Sequence, residues 1–108
     1  MKQIIETFIR TANAFDMDSA LSLFASDAVI ADVSVGKDFV GSDGVRLYLD
    51  RFFLGYNTSS KLLSIDQVDD RTAVARLDFT GDFGHEIGML KVAINPDGLI
   101  VRIDADLE

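Results

Sequence analysis

A chain of 108 residues, 48% hydrophobic and 26% charged, is long enough for one cored domain and too apolar to be disordered. Its 18 acidic and 10 basic side chains leave a net charge of −8, which repels phosphate backbones and anionic lipid, so neither nucleic acid nor membrane is an expected partner. The absence of cysteine and the single histidine exclude disulfides, thiolate or histidine-rich metal sites and a cysteine nucleophile.

The amino-terminus carries Lys2 and then helical periodicity, unlike a secretory signal, and no apolar run approaches the roughly 18 residues of a membrane span. A cytoplasmic location is expected by elimination. Within residues 3–15, Ile4, Phe8, Ala12 and Phe15 form one stripe flanked by Ile5 and Ile9, which predicts an amphipathic helix. Asp16 and Asp18 offer N-caps for a short second helix ending near Ala25, and Ser26-Asp27 breaks it. Ala28–Val35 alternates and is β-branched, so a strand is expected, followed by a glycine-containing loop over Gly36–Asp43. Ser42 or Asp43 can cap a third helix, whose wide apolar stripe holds Val45, Tyr48, Leu49, Phe52, Phe53 and Tyr56, with Gly55 and Asn57 as stop signals.

From Ser59 onward the pattern is β. Strands are expected at Lys61–Val68, Thr72–Thr80, Ile87–Ile94 and Leu99–Leu107, and Asn95-Pro96-Asp97-Gly98 has the composition of a tight turn. The order α-α-β-α-β-β-β-β describes an α+β domain spanning 1–108, with three helices laid on one face of a strongly bent, mostly antiparallel sheet. Such a cone is open at one end, a natural place for a ligand.

Thr72–Thr80 divides its side chains cleanly between two faces. Ala73, Ala75, Leu77 and Phe79 fall on one, and Val74, Arg76, Asp78 and Thr80 on the other. By periodicity alone, the second set is either solvent-facing or the wall of a pocket.

Asn13-Ala14-Phe15-Asp16, Leu23-Phe24-Ala25-Ser26-Asp27-Ala28-Val29, Val40-Gly41-Ser42-Asp43-Gly44-Val45 and Pro96-Asp97-Gly98-Leu99-Ile100 together resemble the motif series of SnoaL-like proteins. These belong to the nuclear transport factor 2-like superfamily, which includes polyketide cyclases, ketosteroid isomerase and limonene epoxide hydrolase. The resemblance implies a cystatin-like cone and a homodimer paired through the sheet. It does not select an activity, because this fold hosts many.

Against ketosteroid isomerase, the catalytic base matches Asp32, whereas its oxyanion donors match Phe8 and Leu90, which cannot donate a hydrogen bond. Against limonene epoxide hydrolase, the R-x-D pair matches Arg76 and Asp78. The last-strand aspartate of that enzyme matches Ala105, and its water-holding tyrosine and asparagine match Ile30 and Asp32. Both resemblances place Arg76 and Asp78 inside the cone, with Ala75, Leu77 and Phe79 outward as the pairing face.

The expected site is therefore an Asp32, Arg76 and Asp78 set in an apolar pocket lined by Phe8, Phe24, Ile30, Tyr48, Phe52, Leu90 and Ile103. A guanidinium between two carboxylates can hold one ionised while burial keeps the other neutral, which provides a general base and a general acid. The implied function is binding of a small apolar molecule, with hydrolase, isomerase or cyclase chemistry that uses no cofactor and no metal. The alternative is a ligand-binding or dimerisation domain without turnover. His85 is expected on a surface loop. The row Arg102, Asp104, Asp106 and Glu108 is expected to face outward.

Overall fold

In the computed structural model, which describes residues 1–108, the first apolar stripe winds into α1 (Lys2–Asn13) and buries Ile5, Phe8, Ile9 and Ala12. Phe15 takes a left-handed φ of 57° and reverses the chain. Asp16 then caps α2 (Met17–Leu21), accepting hydrogen bonds from the Ser19 hydroxyl at 2.6 Å and the Ser19 amide at 3.1 Å. These two donors hold its carboxyl below the usual carboxylate range.

β1 runs from Phe24 to Asp32, so it begins before the expected Ala28. Ser26 and Asp27 lie exposed within it, where its pairing with the last strand shifts register between Phe24 and Val29. The segment Gly36–Asp43, expected as a loop, contains a further strand, β2 (Lys37–Val40), hairpinned to β1 with Ile30 opposite Phe39. Of its four side chains only Phe39 is buried, too few for alternation to mark a strand. Gly36 closes the hairpin at φ 74°, a conformation that favours glycine.

α3 (Gly41–Leu49) starts without a side-chain cap, so Ser42 and Asp43 lie inside its first turn. There the charge of Asp43 complements the positive end of the helix dipole. The helix widens into a π-helical turn over Asp50–Leu54, and Asn57, not Gly55, supplies the left-handed exit at φ 53°. β3 (Ser59–Asp69), β4 (Thr72–Gly81), β5 (Gly84–Ile94) and β6 (Ile100–Leu107) complete the chain. No helix is long and apolar enough to cross a membrane.

The six strands form one sheet in the order β2-β1-β6-β5-β4-β3, antiparallel except for β1 beside β6. Register shifts in β1, β3 and β5 mark bulges or irregularities, and bulges bend strands, which suits a sheet that curls around the helices. The core fills the concave side, where Phe8, Ala12 and Leu49 of the helices meet Ile30, Leu77, Val92 and Ile103 of the sheet.

The alternation along β4 is present, but its faces are the reverse of those the resemblances assign. Ala73, Ala75 and Leu77 are buried on the concave side, with Ala75 between Ile65 and Leu90 and Leu77 between Leu62 and Gly88. Burying this hydrocarbon row is favourable, whereas the opposite choice would bury an arginine and an aspartate against the helices. The expected homodimer therefore loses the apolar outer row on which it rested. The outer face carries charged pairs instead, including Arg102 with Asp104 at 3.0 Å and Arg76 with Glu108 at 2.6 Å.

Asn13, at the end of α1, ties the helical layer to the edge strand. Its Nδ2 donates to the Ser60 carbonyl at 2.9 Å, and its Oδ1 accepts from the Ser60 amide at 2.7 Å. The side-chain amide thus substitutes for a neighbouring strand and satisfies a buried peptide. Asn13→Ala leaves both groups of Ser60 unpaired and is expected to cost about 1–3 kcal/mol. Urea denaturation should show a lower midpoint at unchanged slope, and a loss below about 0.5 kcal/mol, the range of ordinary surface substitutions, would contradict this role.

Candidate functional site

Asp32 is the last residue of β1, and it builds its own turn. Its carbonyl accepts from the Gly36 amide at 2.8 Å and the Val35 amide at 3.2 Å. Its Oδ1 accepts from the Ser34 amide at 2.9 Å and the Ser34 hydroxyl at 2.6 Å. An aspartate bonded to the backbone two residues ahead is an Asx turn. Oδ2 accepts from the Tyr48 hydroxyl of α3 at 2.5 Å. Both residues are nearly enclosed, Asp32 8% exposed and Tyr48 7%. Burial first, then the bond to Asp32 and its charge, push the Tyr48 phenol well above its ordinary pKa near 10.

A cavity of about 300 Å³ opens over this pair, between the end of α3 and the concave face of the sheet. Its aromatic wall comes from Tyr48, Phe52, Phe53 and Tyr56 of the helical layer and Phe79 and Phe83 of the β4–β5 hairpin. Leu90, Ala105 and Leu107 form the sheet side, and Glu86 and Asp106 also border it. In a π-helical turn the wider repeat lets neighbours five apart share a side. Phe52 and Phe53 therefore both line the cavity, 4.9 and 6.2 Å from the Tyr48 ring between centroids. The mouth is tied across by Tyr56 on Phe83, 6.2 Å between centroids, and by Asn57 donating to Asp82 at 3.0 Å. Gly88 keeps the sheet wall flat, since a Cβ there would stand 2.9 Å from the Phe79 ring and 2.8 Å from the Asp106 carbonyl.

Of the residues expected around the pocket, Tyr48, Phe52 and Leu90 line it. Phe8, Phe24, Ile30 and Ile103 do not. They are buried in the packed core, where Phe8 contacts Phe24 and Phe53 edge-on at 5.8 and 5.9 Å. The narrow end of the cone is thus solid.

The expected trio does not assemble. Arg76 lies on the outer face, gripping Glu108 through Nε at 2.6 Å and a terminal nitrogen at 2.8 Å, which raises the guanidinium and holds the Glu108 carboxyl low. Asp78 also lies outside, half-buried, with Oδ1 2.6 Å from Nε2 of His85. His85 is exposed as expected, although within β5 and not in a loop. Arg102, Asp104, Asp106 and Glu108 face outward, and no three acidic or histidine side chains gather as metal ligands.

Ser34, Glu86, Phe79 and Phe83 were absent from the expected set. Ser34 stands two residues after Asp32, the spacing of an Asx turn. Glu86 shares strand parity with Leu90, the one signal that could have placed it at the cavity.

The family model for the SnoaL-like domain matches residues 5–104, so the chain belongs to that family. Among solved structures it is similar to RV0760c from Mycobacterium tuberculosis, in complex with estradiol-17β-hemisuccinate, at 20% identity and a TM-score of 0.84, covering 94% of this chain and 88% of that one. It is also similar to SalBIII, an epoxide hydrolase/cyclase-like enzyme with a role in pyran ring formation in the polyether salinomycin, at 18% identity and a TM-score of 0.86, covering 99% and 89%. A computationally designed 17-OHP binder matches at 17% identity and a TM-score of 0.84, covering 94% and 86%. At these identities the likeness is one of fold. No curated protein matches the sequence.

Tyr48→Phe removes one donor from Asp32 and is expected to cost about 1.5–3 kcal/mol, as for other hydrogen bonds to charged groups. It should also change the alkaline limb of stability. The folded chain holds the Tyr48 proton more tightly than the unfolded chain does, so this contribution is intact below about pH 10 and declines as pH rises further. Denaturation between about pH 10 and 12 should show a shallower decline for the variant than for the parent. Parallel declines would place the phenol outside the Asp32 environment.

Proposed function

We propose that this SnoaL-like domain binds one small, largely apolar molecule in the aromatic cavity, with Asp32 receiving from it a hydrogen-bond donor or an acidic proton. One observation carries the reading. Asp32 is nearly buried at the cavity, and its carboxylate offers about four acceptor directions of which three are filled, two on Oδ1 by Ser34 and one on Oδ2 by Tyr48. The direction left on Oδ2 is an acceptor in a low-dielectric setting, where a hydrogen bond is electrostatically stronger than in water. The cavity volume is at the lower end of the ~300–1,000 Å³ typical of ligand pockets. That RV0760c was solved with an estradiol derivative supports a ligand with a hydrocarbon ring body.

A lone carboxylate can act as a base on an acidic C–H or O–H without a cofactor, as an isomerase or cyclase requires. Epoxide hydrolysis also needs an acid at the leaving oxygen, and Arg76 and Asp78, the groups expected to help, lie on the other face of the sheet. Binding without turnover is the second reading, and the hydroxyl network favours it. The protons of Ser34 and Tyr48 are directed to Asp32 and that of Thr58 to the Phe52 carbonyl, so of the hydroxyls lining the cavity only that of Tyr56, at the mouth, is free to polarise a substrate carbonyl.

Isothermal titration with 2-(naphthalen-2-yl)ethanol tests the assignment. The parent should bind one equivalent. Ala105→Phe, which fills the cavity, should abolish binding. Asp32→Asn, which can keep the turn through its amide oxygen, should weaken binding about tenfold or more. Arg76→Leu should bind as the parent does. Equal affinity of the Asp32 and Ala105 variants with the parent, or loss of binding on changing Arg76, would overturn the assignment.

A further inference from the structure

The charge around the cavity is one-sided. The acidic side chains that line it are Asp32 and Glu86, and no lysine, arginine or histidine reaches it. The arginines that form ion pairs are engaged elsewhere, Arg46 with Asp18 and Asp50, Arg76 with Glu108 and Arg102 with Asp104. Asp32 is therefore a nearly buried carboxylate bonded by neutral donors and outside any ion pair; Lys37, opposite it across the β1–β2 hairpin, has its Nζ over the Phe39 ring at 5.1 Å. A buried charge is ordinarily paired, and an anion left without a cation is unfavourable.

The walls point the same way. Six aromatic side chains line the cavity, and the face of an aromatic ring carries the negative lobe of its quadrupole, which attracts a cation within about 6 Å. An anionic ligand entering this space would meet the like charge of Asp32 and Glu86. A neutral one would leave Asp32 outside any ion pair. The net charge of −8 adds a long-range field that draws cations toward the surface.

We propose that the cavity selects a lipophilic monocation, an aromatic or alicyclic amine bound in its protonated form, over neutral and anionic molecules of the same shape. The ammonium donates to the open direction on Asp32 Oδ2, and the hydrocarbon body lies among Tyr48, Phe52, Phe79 and Leu90. This inference rests on the cavity being the binding site, as argued above, and adds the charge class of its ligand.

Three probes with one ring system and different heads test it, 2-(naphthalen-2-yl)ethylamine, 2-(naphthalen-2-yl)ethanol and 2-naphthylacetate, each titrated calorimetrically near neutral pH. The amine should bind about tenfold or more tightly than the alcohol, and the carboxylate more weakly than either. In Asp32→Asn the amine should fall to the level of the alcohol, and in Ala105→Phe it should not bind. Attraction to the acidic surface alone would survive both substitutions. An alcohol as tight as the amine, a carboxylate that binds best, or an amine advantage that persists in Asp32→Asn overturns the charge class while leaving the cavity as the site. Failure of all three probes to bind the parent would remove both.

Discussion

The hydrogen bond from Tyr48 to Asp32 joins the two layers of the fold at the point where the cavity begins. Apolar contact between α3 and the sheet supplies most of the attraction, but it is non-directional and leaves rotation of the helix unspecified. A 2.5 Å bond from a buried phenol to a strand-end carboxylate specifies it. With Tyr48 fixed, its ring packs at 5.0 Å on Phe39 and 4.9 Å on Phe52 between centroids. The π-helical turn then presents Phe53 to Phe8 and Phe79. The aromatic wall is in this sense an extension of one polar contact.

Asp32 divides its carboxylate between two tasks. Oδ1 belongs to the β1–β2 turn through Ser34, and Oδ2 belongs to Tyr48 and to the cavity. A purely structural aspartate would account for the first set of bonds. It would not account for a carboxylate placed against an aromatic-lined hollow with one acceptor direction unfilled and no ion pair within its own chain. The paired ions of this chain sit on outer surfaces, where solvent screening makes them weak contributors to stability. The polar design of the interior is concentrated instead at one strand end.

Much of the fold was legible in the amino-acid sequence because its signals are long and periodic. The stripe Ile4-Phe8-Ala12 marks α1, the Asp16 cap marks α2, and four alternating runs mark β3 to β6. The four-residue β2, the bulge at Ser26-Asp27 and the π-helical turn carry no comparable period, since each is set by neighbours distant in the chain. The site was harder to read. A period of two shows that Arg76 and Asp78 share a face but not which face meets the helices. The comparison of R-x-D motifs chose the concave one, whereas the Ala73-Ala75-Leu77 row, more apolar and more readily buried, chose the arrangement found. Asp32 was expected at the cavity from its match to the base of ketosteroid isomerase. Its partner Tyr48 was expected there only as a ring, because a hydroxyl sixteen residues away along the chain leaves no local signature.

The central claim is that the polar centre of this domain is the open side of Asp32 Oδ2 and not the outer Arg76–Glu108 pair. A crystal structure of the protein soaked with 2-(naphthalen-2-yl)ethanol tests it most directly. The ring system should lie among Tyr48, Phe52, Phe79 and Leu90, with the ligand hydroxyl about 2.5–3.0 Å from Asp32 Oδ2. Density for the molecule on the outer sheet face, or a ligand in the cavity whose hydroxyl turns away from Asp32, would contradict it.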